Sequence, residues 1–437
     1  MKRLIVVASA LLLLLAGFAF ANGQKESASS TSKKITLNIA WWGNQAIDQH
    51  TLEVLKMYEK AHPNITFSPQ YPGWTDYWTQ MDTLAASNSL PDIMGQDYSY
   101  ITEWQSRGRL MNLTPFVDNK TINLAGIAKP AVSGGIINGK YYGIDLGTNA
   151  LAFVLNTDLF KKAGIPIPPD NWTWSDFQRI AMELHAKLGI WGMGYGLDDV
   201  NQWRNLYLGT GHWVFSSNGK SLGYPRSMDN VFVHYLEMVK SLESAGAIPP
   251  ISSMVAHASQ GVETRAIVNG KSAMGFMWSN QVVEMWGAAG LKNNYTLLPV
   301  PRLSSDPQSP NYVKNSAFMS ISTDSTHPKQ AAEFINYFTN SVAANKVMDA
   351  DWGVPISPKV RNALKESLTK PTRAEFDYLS SVTRMASPTP PPDPPGASTL
   401  QFSLYGPEVF QPFMFGKMTA QQAAVEMRTL AAQHLGH

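Results

Sequence analysis

Thirteen tryptophans stand out among the residues able to do chemistry, several of them beside an amide or a carboxylate. Trp41 and Trp42 run into Asn44, Trp74 and Trp78 lie one helical turn apart, and Asp97 precedes Tyr98. Trp203 and Trp213 fall in a stretch dense in Gly and aromatics, and Asp145 in a motif-rich stretch, residues 138–180. An indole face takes apolar C–H surface out of water, while a carboxylate accepts paired hydrogen bonds from neighbouring hydroxyls. That combination suits non-covalent capture of a flat, hydroxyl-rich molecule. The competing reading at each position is a core tryptophan, and about a third of the thirteen are expected at a ligand surface.

The motifs of covalent chemistry are missing. The sequence has no Gly-x-Ser-x-Gly, His-Glu-x-x-His, phosphate loop or dinucleotide fingerprint, and its nine His are scattered. Asp198-Asp199 is a candidate carboxylate pair for glycoside hydrolysis, but adjacent loop residues do not supply an opposed acid and base. Cys is absent, which removes disulfides and thiolate metal sites, and with the His scattered and the cofactor motifs missing no metal or cofactor is expected. The formal charge is +2, and with Lys2 and Arg3 set aside 33 basic residues face 33 acidic ones. The global positive field of a nucleic-acid binder is therefore absent.

The elements that must position these side chains follow from periodicity. Ile35, Leu37 and Ile39 alternate as in a strand, Ile47, Val54, Leu55 and Tyr58 mark one helix face ended by His62-Pro63, and Ile65 and Phe67 restart a strand. Strand–helix–strand implies a parallel pair with a right-handed crossover, and open α/β sheets bind ligands beyond the carboxyl ends of their strands. Trp41 to Asn44 stands at such an end. Asp97 ends the next short strand, where it can meet a ligand or serve as N-cap for a helix over Ile101 to Trp104. Ala150 to Leu155 reads as a strand covered on both faces, Gly164 as the end of a short helix, and Thr173 to Asp176 as a capping box. The aromatic stretch 189–225 reads as loops, 228–242 as helix, and Ala331 to Val342 as one amphipathic helix begun by Pro328. Residues 386–397 read as an extended proline-rich loop, and Gln421 to Leu435 as a terminal helix.

Gly139-Lys140-Tyr141-Tyr142-Gly143, then Asn156-Thr-Asp-Leu-Phe-Lys-Lys-Ala-Gly164, Pro168-Pro169 and Thr173-Trp174 together resemble the extracellular solute-binding proteins of carbohydrate ABC importers, the broad class of the maltose-binding protein. Asn269-Gly-Lys-Ser-Ala-Met274 is a second matching motif, and the resemblance puts Trp278 and Asn280 in a ligand cleft. Asp351-Trp352-Gly353-Val-Pro355 matches a third crossing between lobes, with Trp352 at the ligand. The implied fold is α/β, a two-lobe periplasmic-binding-protein fold of type II, each lobe a central sheet flanked by helices, with three interlobe crossings. Lobe 1 is expected at 35–146 with 317–352, lobe 2 at 147–316 with 353–437. The implied function is capture of a sugar, an oligosaccharide given the many Trp, by a monomer that delivers it to membrane permease subunits. A secreted glycan-cleaving enzyme and a binder of polyamine or iron are the alternatives. Tyr141-Tyr142 resembles an iron-binding tyrosine pair, but its place inside the turn motif argues for structure.

Lys2-Arg3, the apolar residues 4–20 and Ala19-Phe20-Ala21 read as an export signal cleaved after Ala21, followed by a polar tail at 22–34, which places the protein in the periplasm. A membrane anchor is the rival reading of the same apolar run.

Overall fold

The computed structural model describes residues 34–257 and 260–435. The export signal lies outside the described residues. Among the described residues no helix is long and apolar enough to cross a membrane.

Two sheets organise the chain. In the first, Ile35–Ala40 pairs in parallel with Ile65–Gln70 on one side and Ile93–Gln96 on the other, as the strand–helix–strand pattern requires. Phe318–Ile321 then runs antiparallel to Ile93–Gln96 and to Ile144–Asp145. The second sheet is built on Gly147–Asn156, which pairs antiparallel with Tyr295–Leu298, Ser272–Trp278, Val313–Asn315 and Val354–Pro355. Neighbours on both sides and helices on both faces leave nearly all of this strand buried, matching its unbroken apolar run.

The chain passes between the sheets three times, at Asp145 to Gly147, at Asn315 to Phe318, and at Trp352 to Val354. These passages are tied to one another. Leu146 N donates to Ala317 O at 3.0 Å, Ser316 N to Gly147 O at 2.9 Å, and Ser316 Oγ to Trp352 O. Glycine is required at two points. A Cβ on Gly147 would stand 2.5 Å from Trp352 O, and Gly353 holds φ +89° with Asn149 Oδ1 2.3 Å from where its Cβ would be.

Local signals formed as the sequence predicts. Thr173 and Asp176 make a reciprocal capping box on Trp174–Leu188, and Gly164 ends Thr157–Ala163 in the left-handed conformation. Two expectations are corrected. The stretch 189–225 is not all loop: it contains the helix Val200–Gly209, buried from Asn201 to Gly209. The helix begun by Pro328 ends at Asn340, because the Ser341 side chain accepts from Ala344 N and starts a separate helix, Val342–Met348.

Candidate functional site

The carboxyl ends of the parallel strands meet the second lobe. Asn44 Oδ1 accepts from Ile47 N (2.9 Å) as N-cap of the helix Gln45–Ala61, while its Nδ2 donates to Glu284 Oε2 of the second lobe at 2.5 Å. Asp97 Oδ1 accepts from Ser99 N at 2.8 Å, and its Oδ2 meets Lys314 Nζ at 3.3 Å. Asp97 thus closes a local turn and makes an interlobe ion pair, but it does not cap the helix Ile101–Ser106, whose N-cap is Tyr100 with no side-chain cap bond. The Tyr98 hydroxyl donates to the carbonyl of Pro390 at 2.5 Å, in the proline-rich segment.

Aromatic rings surround this junction. The half-buried Trp42 ring lies 5.0 Å from Trp74, 5.6 Å from Trp78 and 5.5 Å from Trp352, and Trp78 stacks on Tyr100 at 3.9 Å. Trp74 is exposed at the rim (43%). From the second lobe, Trp278 lies 6.4 Å from Tyr312, which also meets Trp213 at 6.0 Å. Lys314 Nζ joins the two groups, 4.6 Å over the Trp278 ring and 5.7 Å from the Tyr98 ring.

The indole N–H groups divide the tryptophans. Those of Trp41, Trp172, Trp203 and Trp286 donate to Asp48, the Pro299 carbonyl, Tyr224 and the Asn293 carbonyl. Those of Trp78, Trp213 and Trp352 are buried with no hydrogen-bond partner among the described residues. A buried indole donor ordinarily finds a partner. All three belong to the aromatic groups at the lobe junction.

Burial and crowded carboxylates set the electrostatics. Glu284 is pushed up to about 8 by burial first and then by the neighbouring Glu263 carboxyl. Burial also holds Asp145 well above the usual carboxylate range. Asn315 and Lys314 moderate that shift, although no partner among the described residues reaches either Asp145 oxygen with hydrogen-bond geometry.

The profile of the family described as "Bacterial extracellular solute-binding protein" matches residues 53–374. The chain belongs to the bacterial extracellular solute-binding proteins. Among curated relatives, a lactose-binding protein of Rhizobium radiobacter is 29% identical over 38% of this chain and 40% of its own length. The first curated relatives, putative binding proteins of Brucella, are matched over only 39% of their length. Among solved structures, an extracellular solute-binding protein family 1 from Alicyclobacillus acidocaldarius is 27% identical with TM-score 0.65, covering 93% of this chain and 100% of that one. A periplasmic oligogalacturonide binding protein from Yersinia enterocolitica, in complex with saturated digalacturonic acid, shares the fold at TM-score 0.80 and 21% identity over 92% of this chain and 98% of that one.

In this solute-binding protein the expected site residues separate into three groups. Trp42, Asn44, Trp74, Trp78, Asp97, Tyr98, Trp213, Trp278 and Trp352 meet at the lobe junction. Asn280 and Asp145 sit at the crossings. Asn280 Nδ2 donates to Asp351 O at 2.7 Å and its Oδ1 accepts from Asn149 at 2.9 Å, so both ends of the amide are engaged by protein. Trp41 and Trp203 stand apart. Trp41 is buried beneath Tyr71, stacked at 5.1 Å. Trp203 is fully buried in the second-lobe core against Phe215, and its placement at a ligand is corrected accordingly.

Tyr100, Tyr312, Lys314, Arg204 and Gln96 were not anticipated. Gln96 is fully buried with neither amide atom partnered among the described residues, and it stands beside Phe318, whose other cross-strand neighbour is Asp145. Its one local signal is a polar residue closing an apolar strand.

Proposed function

We propose that this chain is the ligand-capturing component of an ABC importer, that its ligand is an oligosaccharide held between the lobes, and that the closed form is what membrane permease subunits recognise. The observation that carries the reading is the set of buried indole donors at Trp78, Trp213 and Trp352, unpartnered among the described residues, beside aromatic faces from both lobes. Stacking faces plus unused donors match a sugar ring, which offers C–H faces and hydroxyl oxygens. The names of the lactose-binding relative and the digalacturonate-bound structure support the sugar class. Lobes spanning 35–146 with 317–352 and 147–316 with 353–437, a monomeric state and a periplasmic location after cleavage at Ala21 belong to the same reading.

A thermal-shift screen of purified protein against neutral and acidic oligosaccharides tests it. A cognate sugar at 100 times its dissociation constant adds about 2.7 kcal/mol of stability. Small-angle scattering should then show a smaller radius of gyration with that sugar than without. No stabilisation by any sugar, or release of shorter sugars from the panel, would count against the proposal.

A further inference from the structure

We infer that the proline-rich segment 386–396 is an end wall of the cleft, so that the protein takes a short oligosaccharide whole and turns away long chains. The inference rests on the sugar-binding reading above and narrows its ligand by length.

The segment is an extended strap, neither helix nor strand, tied down on the second lobe. Ser387 N donates to Asn311 O at 2.8 Å and Ser387 Oγ to Ser309 O at 2.7 Å, and Thr389 Oγ1 donates to Val313 O at 2.6 Å. The buried Asp393 pairs with Arg204 and accepts from Gln401 Nε2 at 2.7 Å. Prolines at 388, 390 to 392, 394 and 395 fix φ along the strap and make it stiff. Its other side reaches the first lobe. The buried Pro390 offers its carbonyl to the Tyr98 hydroxyl at 2.5 Å, and Ser398 Oγ, just past the strap, donates to Glu103 Oε2 at 3.1 Å.

These two bonds stand at one end of a row of rings. Trp42, Trp78 and Tyr100 follow one another at 5.6 and 3.9 Å. Tyr98 and Glu103, which hold the strap segment, flank Tyr100 in the chain. Asn44, which reaches Glu284, lies beside Trp42 in the chain at the other end of the row. An interlobe bond therefore stands next to each terminal ring. A sugar stacked along the row has its length limited by these two boundaries. One more sugar residue at the strap end has to displace Pro390 or pull Asp393 away from Arg204. Separating a buried ion pair leaves an uncompensated charge, and a strap held on both sides of that pair cannot swing aside without breaking its anchors.

The test is calorimetry on the mature chain with a length series of the best-binding sugar of the screen, from the disaccharide to the soluble polymer. Affinity is expected to pass through a maximum at a short length, with the longest chains about a hundredfold weaker or silent. A second arm loosens the strap by Pro391→Gly and Pro392→Gly together with Ser398→Ala, and should raise the long-to-short affinity ratio by about tenfold. Ser398→Ala alone removes only the bond to Glu103 and should move the ratio the same way by a smaller factor; it carries the second arm if the triple variant does not fold. Affinity that climbs to a plateau with length in the unmodified protein, or a ratio unmoved in the folded strap variants, would overturn the inference while leaving sugar capture standing. Silence of every sugar would overturn the sugar reading, and the inference with it.

Discussion

The side-chain amide of Asn44 reaches across the lobes to the carboxyl of Glu284 at 2.5 Å, joining residues 240 positions apart. Asn44 also caps its own helix, so its free amide hydrogens are aimed by the helix start at the opposite lobe. Glu284 in turn faces Glu263, Asp351 and Asp48, all acidic.

This contact predicts a pH dependence of ligand capture. The Glu284 carboxyl, pushed up to about 8 from its ordinary 4.5, holds a proton at the lobe junction that it would give up in water. The stabilisation from that proton is complete below the ordinary value and is lost as pH rises through about 8. Affinity for the best-binding oligosaccharide of the screen should therefore fall between about pH 4.5 and 8 and level off above that, and Glu284→Gln should flatten the profile. An identical slope in both proteins would remove Glu284 as the cause.

Trp278→Ala should weaken sugar binding by about 2 kcal/mol or more, as expected for an aromatic anchor. Because Trp278 is only half-buried and faces Lys314, the ligand-free melting temperature should change little. A large melting drop with near-normal affinity in the folded fraction would return Trp278 to the core.

Trp203→Ala should do the opposite. The residue is fully enclosed, with its N–H given to Tyr224 at 3.1 Å. Its truncation should cost about 3–5 kcal/mol in urea unfolding, with sugar affinity unchanged in the protein that remains folded. Loss of affinity without loss of stability would contradict the core assignment.

Gly353→Ala should destabilise the crossings. Its φ of +89° disfavours any side chain, and a Cβ would collide with Asn149 Oδ1 and Thr148 O. A loss of about 1–3 kcal/mol is expected. An unaltered denaturation midpoint would show that the crossing relaxes freely.

Much of the fold was legible because its causes are local. The capping box at Thr173, the left-handed glycine at 164 and the doubly covered strand beginning at Gly147 are each written within a few residues of where they act. The parallel pair that opens the first sheet followed from alternation on either side of one helix. The stretch 189–225 was misread because the helix Val200–Gly209 is buried nearly all round, so no polar face marks its period.

The sequence by itself determined which side chains were available: tryptophans able to stack, a cleft edge at Trp41 to Asn44 and at Asp97, and a net charge near zero. Only the tertiary structure decided which tryptophans gather at the lobe junction. Trp41 and Trp42 are adjacent and chemically identical, yet Trp41 finds Asp48 for its N–H and is covered by Tyr71, while Trp42 enters the ring cluster at the junction. Trp203 is satisfied by Tyr224, and Trp352 keeps a buried donor with no partner among the described residues. That difference lies in partners supplied by distant segments and by the other lobe, which no window of sequence contains.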